Sequence, residues 1–312
     1  MRIALKSSLA GLALALSLGT VVPAWAVPFD VTVLKTNVST PVLRNWMSAD
    51  VKVAWQAGFK GQGTTVTVID DFTSRDKFSG NLDGKRRTQR HGEWTSLEIG
   101  LLAPSASLKT VDFNGSNAIT LANSGLNVLN LSYGLYATAG YTVQQIGFTN
   151  LENSIVAAGQ GRAVVAKAAG NDSIAVGAVD NSGDQDYLNI ALEGGSSVLY
   201  VGALNGNGTV NAKTSLAYYS NYAGSDTWVQ SHFITAGVEG GKTGLYGTSF
   251  AAPVIAGYAA ILGSKFKSAT ATQITNQLLS TARTDTISNY SPSVYGVGEA
   301  SLARALAPSS IR

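Results

Sequence analysis

Short apolar and β-branched runs that each stop at a polar residue alternate along this chain with helix-patterned segments. That pattern predicts an α/β protein, a doubly wound, mostly parallel sheet with helices on both faces. Two stretches carry most of the inference. Thr64-Thr65-Val66-Thr67-Val68-Ile69 is β-branched or apolar throughout and stops at Asp70-Asp71. Ala256-Gly257-Tyr258-Ala259-Ala260-Ile261-Leu262 is apolar on every side, as a helix buried all round must be.

The chain opens on a basic start, Arg2 and Lys6, followed by an apolar run from Leu9 to Val22 and Pro23-Ala24-Trp25-Ala26. This is the pattern of a secretory signal peptide over residues 1–26, cleaved after Ala26. The run is too short and too rich in Ala and Gly for a membrane span, so an exported, periplasmic or extracellular protein with no membrane anchor is expected. Residues 27–44 lack a clear period and read as an N-terminal arm, and residues 45–312 suit one large domain.

Without the signal, 20 basic residues stand against 19 acidic ones, which gives no electrostatic reason to expect nucleic acid or anionic lipid as a partner. There is no cysteine, so disulfides, thiolate metal sites and a cysteine nucleophile are excluded. An apolar fraction of 45% supplies a core instead, and a monomer is expected.

In chain order, Asn45 to Phe59 reads as a helix ended by Gly58, and residues 64–69 as the first strand of the domain. Residues 72–90 are polar and basic and read as an exposed loop. Thr95 to Leu102 reads as a helix, Ser107 to Phe113 as a strand, Ala118 to Ser124 as a helix, and Val128 to Leu131 as a strand ending at Ser132-Tyr133-Gly134. Val143, Ile146, Leu151 and Ile155 line one helix face, interrupted near Gly147. Ala163 to Ala166 is a buried strand running to Ala169-Gly170-Asn171, and loops dominate Asp172 to Ser197. Strands at Val198 to Ala203 and Phe233 to Ala236 and a helix at Ala271 to Ala282 complete the pattern. Asp180, Asp184 and Asp186 fall in a turn-rich segment whose spacing does not match a calcium loop, so no metal or other cofactor is assigned, although a structural calcium is compatible with the composition.

Pro253 has no N–H to donate and suits only the first turn of a helix, which puts Ser249 at or just before the helix N-terminus. Alone, a serine there is ordinarily a cap. Asp70, however, ends a buried strand where α/β sheets gather their chemistry, and His91 precedes a glycine at another element boundary. A serine hydroxyl needs a base to take its proton, and the base needs a carboxylate to hold it. The second histidine, His232, has no recognisable partner. An oxyanion formed at Ser249 would need donors such as the helix-start N–H and the side chain of Asn171.

These residues resemble the subtilisin-like serine proteases, the subtilases. The resemblance rests on Val66-Thr67-Val68-Ile69-Asp70, His91-Gly92, Ala103-Pro104-Ser105-Ala106-Ser107-Leu108, Val128-Leu129-Asn130-Leu131-Ser132-Tyr133-Gly134, Ala168-Ala169-Gly170-Asn171 and Gly247-Thr248-Ser249-Phe250-Ala251-Ala252-Pro253. It implies Asp70 as orienting carboxylate, His91 as general acid and base, Ser249 as nucleophile, Asn171 as oxyanion donor, and Ser132, Tyr133 and Gly134 as the edge that holds a peptide or protein substrate.

The chain departs from the family pattern where Asp71-Phe72 follows Asp70 and Glu93-Trp94 follows His91-Gly92. Asp71 turned toward Asp70 would make one carboxylate harder to ionise. A catalytically silent subtilase fold that binds peptides or assists another exported protein therefore stands as the alternative to an endopeptidase. A serine esterase of the α/β-hydrolase type would need the order Ser, acid, His, which this chain lacks. Only residues 27–69 separate the expected cleavage site from Asp70, so no full-sized propeptide is expected.

Overall fold

The computed structural model of the protein describes residues 4–7 and 40–311. The apolar run from Leu9 to Val22, the cleavage point expected after Ala26 and most of the expected 27–44 arm lie outside the described residues.

The strands run, in chain order, as β1 (Ala4–Ser7), β2 (Thr64–Asp70), β3 (Phe78–Gly80), β4 (Arg87–Gln89), β5 (Ser107–Asp112), β6 (Leu126–Leu131), β7 (Tyr133–Thr138), β8 (Val164–Ala168), β9 (Asp184–Asp186), β10 (Val198–Leu204) and β11 (Phe233–Gly237). Six of them form the central sheet in the order β11-β10-β8-β6-β2-β5, and every pairing in it is parallel. The chain leaves β2 for β5 on one side and returns to β6 on the other. The C-terminal ends of β2 and β6 therefore border the crevice where strand order reverses, the usual place for a site in an open α/β sheet.

Alternation along each strand feeds two cores. Val66, Val68, Val128, Ala166, Ala168, Leu199 and Val201 face one side, and Ile69, Leu129, Leu131, Val165 and Tyr200 the other. The first side is covered by α1 (Ala49–Gln56) and α2 (His91–Leu102), with α8 and α9 described below. The second is covered by α3 (Val143–Ile146), α4 (Asn150–Ala158), α5 (Tyr187–Leu192) and α6 (Thr227–His232). The short α7 (Gly240–Thr243) precedes the site, α8 is Ala252–Lys265 and α9 is Ala271–Ser280.

In α8 every residue from Ala252 to Ser264 is buried, with Pro253 in its first turn. Burial on this scale is the main stabilising term, about 1.5–3 kcal/mol for each large aliphatic side chain such as Ile255, Ile261 or Leu262. Gly147, with φ of 75°, ends α3, and Thr149 caps α4 by accepting from the Leu151 N–H, which is the interruption expected there.

Several expectations need correction. No helix forms over residues 118–124. The backbone groups of Ala122 bond instead to the side-chain amide of Asn127, and Ile119 N–H donates to Ser154 Oγ, so tertiary partners take the place of helical ones. A cavity of about 390 Å³ opens beside this connection, lined by Phe72, Lys109, Val111 and Ile119 among others. The helix expected from Thr95 starts at His91, and the loop 72–90 contains the β3–β4 hairpin. The strand ending near Ser132 is followed at once by β7, which pairs antiparallel with β9 and with β1.

Candidate active site

Asp70 is the last residue of β2 and is fully buried. Its Oδ1 accepts from Nδ1 of His91 at 2.5 Å and from the backbone N–H of Asp71 at 2.7 Å. Its Oδ2 accepts from Thr95 Oγ1 at 2.7 Å. His91 opens α2 and is also without exposure, its ring packed 5.5 Å from that of Phe250 and 6.4 Å from that of Phe78. A carboxylate on Nδ1 fixes the hydrogen there, so Nε2 carries the lone pair of a neutral imidazole. Nε2 is buried and makes no hydrogen bond.

Ser249 lies in the 3-10 turn Thr248–Phe250 that leads into α8. Its hydroxyl donates to the carbonyl of Ser132 at 3.3 Å, while the Ser132 hydroxyl donates to the carbonyl of Ser249 at 3.0 Å and accepts from Asn130 Nδ2 at 3.0 Å. Asp70 and His91 are thus joined directly. Ser249 reaches the same crevice through its neighbour Phe250, but no hydrogen bond links its hydroxyl to Nε2 of His91.

Asn171 follows β8. Its Oδ1 accepts from the Thr248 N–H at 2.9 Å and from Thr248 Oγ1 at 3.1 Å, which turns the amide nitrogen away from Thr248. Gly170 adopts φ of 115°, a left-handed conformation that favours glycine. The turn is held by Asn221, whose Nδ2 donates to the Ala169 carbonyl, whose Oδ1 accepts from the N–H groups of Asp172 and Ile174, and whose own N–H donates to Gly170.

Both departures from the family pattern have local explanations. Asp71 turns away from Asp70 and accepts from the N–H groups of Thr73 and Ser74 and from Ser74 Oγ. Glu93 caps α2 by accepting from the Arg90 N–H at 2.7 Å and pairs with the Arg90 guanidinium. Neither carboxylate is free to oppose the Asp70–His91 pair.

Of the three residues expected at the substrate edge, Ser132 is hydrogen-bonded to Ser249 and Gly134 pairs with Lys6 of β1, whereas the Tyr133 side chain points elsewhere. It is buried on the opposite face, stacked 5.4 Å from Phe113, because adjacent strand residues point to opposite sides. Burial first, then the charges of Glu152, Asp186 and Asp70, holds its hydroxyl well above the ordinary tyrosine range. His232 stacks on Trp228 at 4.0 Å, and burial lowers its pKa. Asp186 pairs with buried Lys167 at 2.9 Å, and Asp180 accepts from the N–H groups of Ser182 and Asp184. Among the described residues no group of three or more His, Cys, Asp or Glu side chains could hold a metal ion.

The sequence reading gives neither Thr95 nor Asn221 a place in the site. Thr95 had a usable signal, since it lies one helical turn beyond His91 and shares its face. Asn221 had none beyond its place in a polar stretch.

The six-stranded parallel sheet with helices on both faces is a subtilisin-like α/β architecture, and comparison with known proteins makes the chain a serine-type endopeptidase. Residues 90–298 match the profile of the Subtilase family, peptidase S8, and the chain belongs to that family. It is 28% identical over 287 residues to Subtilisin DY of Bacillus licheniformis, covering 83% of this chain and 92% of that protein. Among solved structures it resembles the prenylagaramide maturation protease PagA, with a TM-score of 0.53 at 20% identity over 83% of this chain and 98% of that one. It also resembles MycP1 of the ESX-1 type VII secretion system, with a TM-score of 0.52 at 19% identity over 88% of this chain and 91% of that one. At such identities the structural likenesses speak to the fold alone.

Proposed function

We propose that the protein is an exported endopeptidase in which Ser249 is the nucleophile, His91 the general acid and base, Asp70 the orienting carboxylate and Asn171 an oxyanion donor. The observation that carries this reading is the fully buried Asp70–His91 bond, which leaves the lone pair of Nε2 without a hydrogen bond in the crevice that also contains Ser249.

For catalysis the Ser249 hydroxyl must turn from the Ser132 carbonyl toward Nε2. The oxygen then attacks the peptide carbonyl as its proton passes to His91, and the imidazolium is stabilised beside Asp70. The Ser249 N–H at the helix start and the Asn171 amide stabilise the oxyanion, His91 protonates the departing amine, and water resolves the acyl-enzyme. A peptide or protein substrate would lie extended along β7. That edge already accepts an antiparallel strand, since Ala4–Ser7 pairs with Tyr133–Tyr136 and runs toward Ser132. Those residues belong to the segment read as a signal peptide, whose removal on export to the periplasm or exterior would vacate the edge. No helix among the described residues is long and apolar enough to cross a membrane.

A serine-reactive fluorophosphonate tests the reading. Labelling of folded protein at Ser249, lost together with peptide hydrolysis in Ser249→Ala, is the expected result. Hydrolysis that persists in Ser249→Ala, or folded protein that never labels, would overturn it.

A further inference from the structure

We infer that Tyr136 fills the pocket meant for the residue before the scissile bond, so that the enzyme selects a small side chain, Gly, Ala or Ser, at that position. The inference rests on Ser249 as nucleophile.

The pocket is located by strand geometry. Leu129, Leu131, Tyr133, Leu135 and Ala137 all join the core on one face. Alternation puts Ser132, Gly134 and Tyr136 on the other, and this is the crevice face, because the Ser132 hydroxyl bonds to the Ser249 carbonyl. Ser132 is the residue of this edge that is bonded to the Ser249 backbone, so the attacked carbonyl belongs to the substrate residue opposite Ser132. Directly paired residues in an antiparallel ladder share a face, so the side chain of that residue enters the space bounded by Gly134 and by the Gly170-Asn171 turn.

Tyr136 stands in that space. A Cβ placed on Gly134 would lie 2.5 Å from Tyr136 Cε2, and one placed on Gly170 would lie 3.4 Å from the Tyr136 hydroxyl oxygen. One ring thus spans the distance between the two glycines. It is held at both ends, by the β7 backbone and by a hydrogen bond from its hydroxyl to Asp172 Oδ2 at 3.2 Å, and with Ala4–Ser7 paired on this edge it is 5% exposed. Behind it, Asp186 accepts from the Leu135 N–H and pairs with Lys167, which closes the far side. A substrate phenylalanine, leucine or arginine would have to displace the ring, whereas a hydrogen or methyl group would not. Steric exclusion from a packed site discriminates against large groups more strongly than a missing methylene does in a roomy one.

The test uses the full chain and a set of fluorogenic peptides that differ only at the residue before the scissile bond, with Gly, Ala, Ser, Leu, Phe or Arg there. Wild type is expected to favour the three small residues by about ten-fold or more in kcat/KM. Tyr136→Ala should shift the Phe-to-Ala ratio by at least about ten-fold toward Phe. Tyr136→Phe, which keeps the ring, should retain the small-residue preference. Tyr136→Val replaces the alanine variant if the latter does not fold. A wild type that prefers Leu, Phe or Arg overturns the inference, as does a shortened variant that labels with fluorophosphonate at Ser249 yet keeps the wild-type order. Wild type that neither labels nor hydrolyses any peptide overturns instead the assignment of Ser249 on which the inference rests.

Discussion

Nδ1 of His91 stands 2.5 Å from Oδ1 of Asp70, and neither side chain has any exposure. Such a pair holds its geometry only if the remaining carboxylate oxygen is also satisfied, which Thr95 Oγ1 does from one turn along α2. Thr95→Val keeps the shape and removes the donor. Stability should fall by about 1–3 kcal/mol in denaturant unfolding, and kcat should fall with KM unchanged, since the loss acts through His91 and not on the substrate. Unchanged kcat in the valine variant would show that Thr95 does not position the carboxylate.

Asn171→Ala removes the proposed side-chain oxyanion donor. The expected loss is roughly 10²- to 10³-fold in kcat, a magnitude carried over from the same substitution type in subtilisin itself. Because Asn171 Oδ1 also receives the Thr248 N–H, a modest drop in melting temperature should accompany it. A kcat within a few-fold of wild type would remove Asn171 from the site.

Glu98, also on α2, is buried with Oε2 making no hydrogen bond, and burial pushes its pKa well above the ordinary carboxylate range. Below the unfolded value of about 4.3 both states hold the proton and the side chain adds no ionisation penalty. As the pH rises past that value the unfolded chain releases its proton while the folded one retains it, so stability falls until the folded pKa is reached. Glu98→Gln should therefore melt higher than wild type near neutral pH and converge with it at about pH 4. Parallel melting curves across that range would contradict the assignment.

The sheet and α8 were legible because strands buried on both faces have no polar alternation to confuse them, and because Pro253 fixes where α8 can begin. Asp70, His91 and Ser249 sit at the ends of those readable elements. Residues 118–124 misled because their apolar composition suits a helix, whereas their hydrogen bonds go to Asn127 and Ser154, which no local pattern reveals. Side-chain direction was equally hidden. Asp71 and Glu93 stand beside the paired residues in sequence, and only the folded loop and helix cap show them occupied elsewhere. Tyr136 was invisible for a related reason, since nothing in Tyr133-Gly134-Leu135-Tyr136 announces that the chain continues as β7 past Ser132.

The pairing of Ala4–Ser7 with β7 shows what the open edge demands of a visitor: a backbone with its amides unengaged. A segment wound into a helix or already laddered into its own sheet cannot meet that demand without first coming apart. The cleavage rate for a native protein should then follow how often its vulnerable stretch peels loose, making the enzyme a reader of breathing motions in its clients as much as of their sequence.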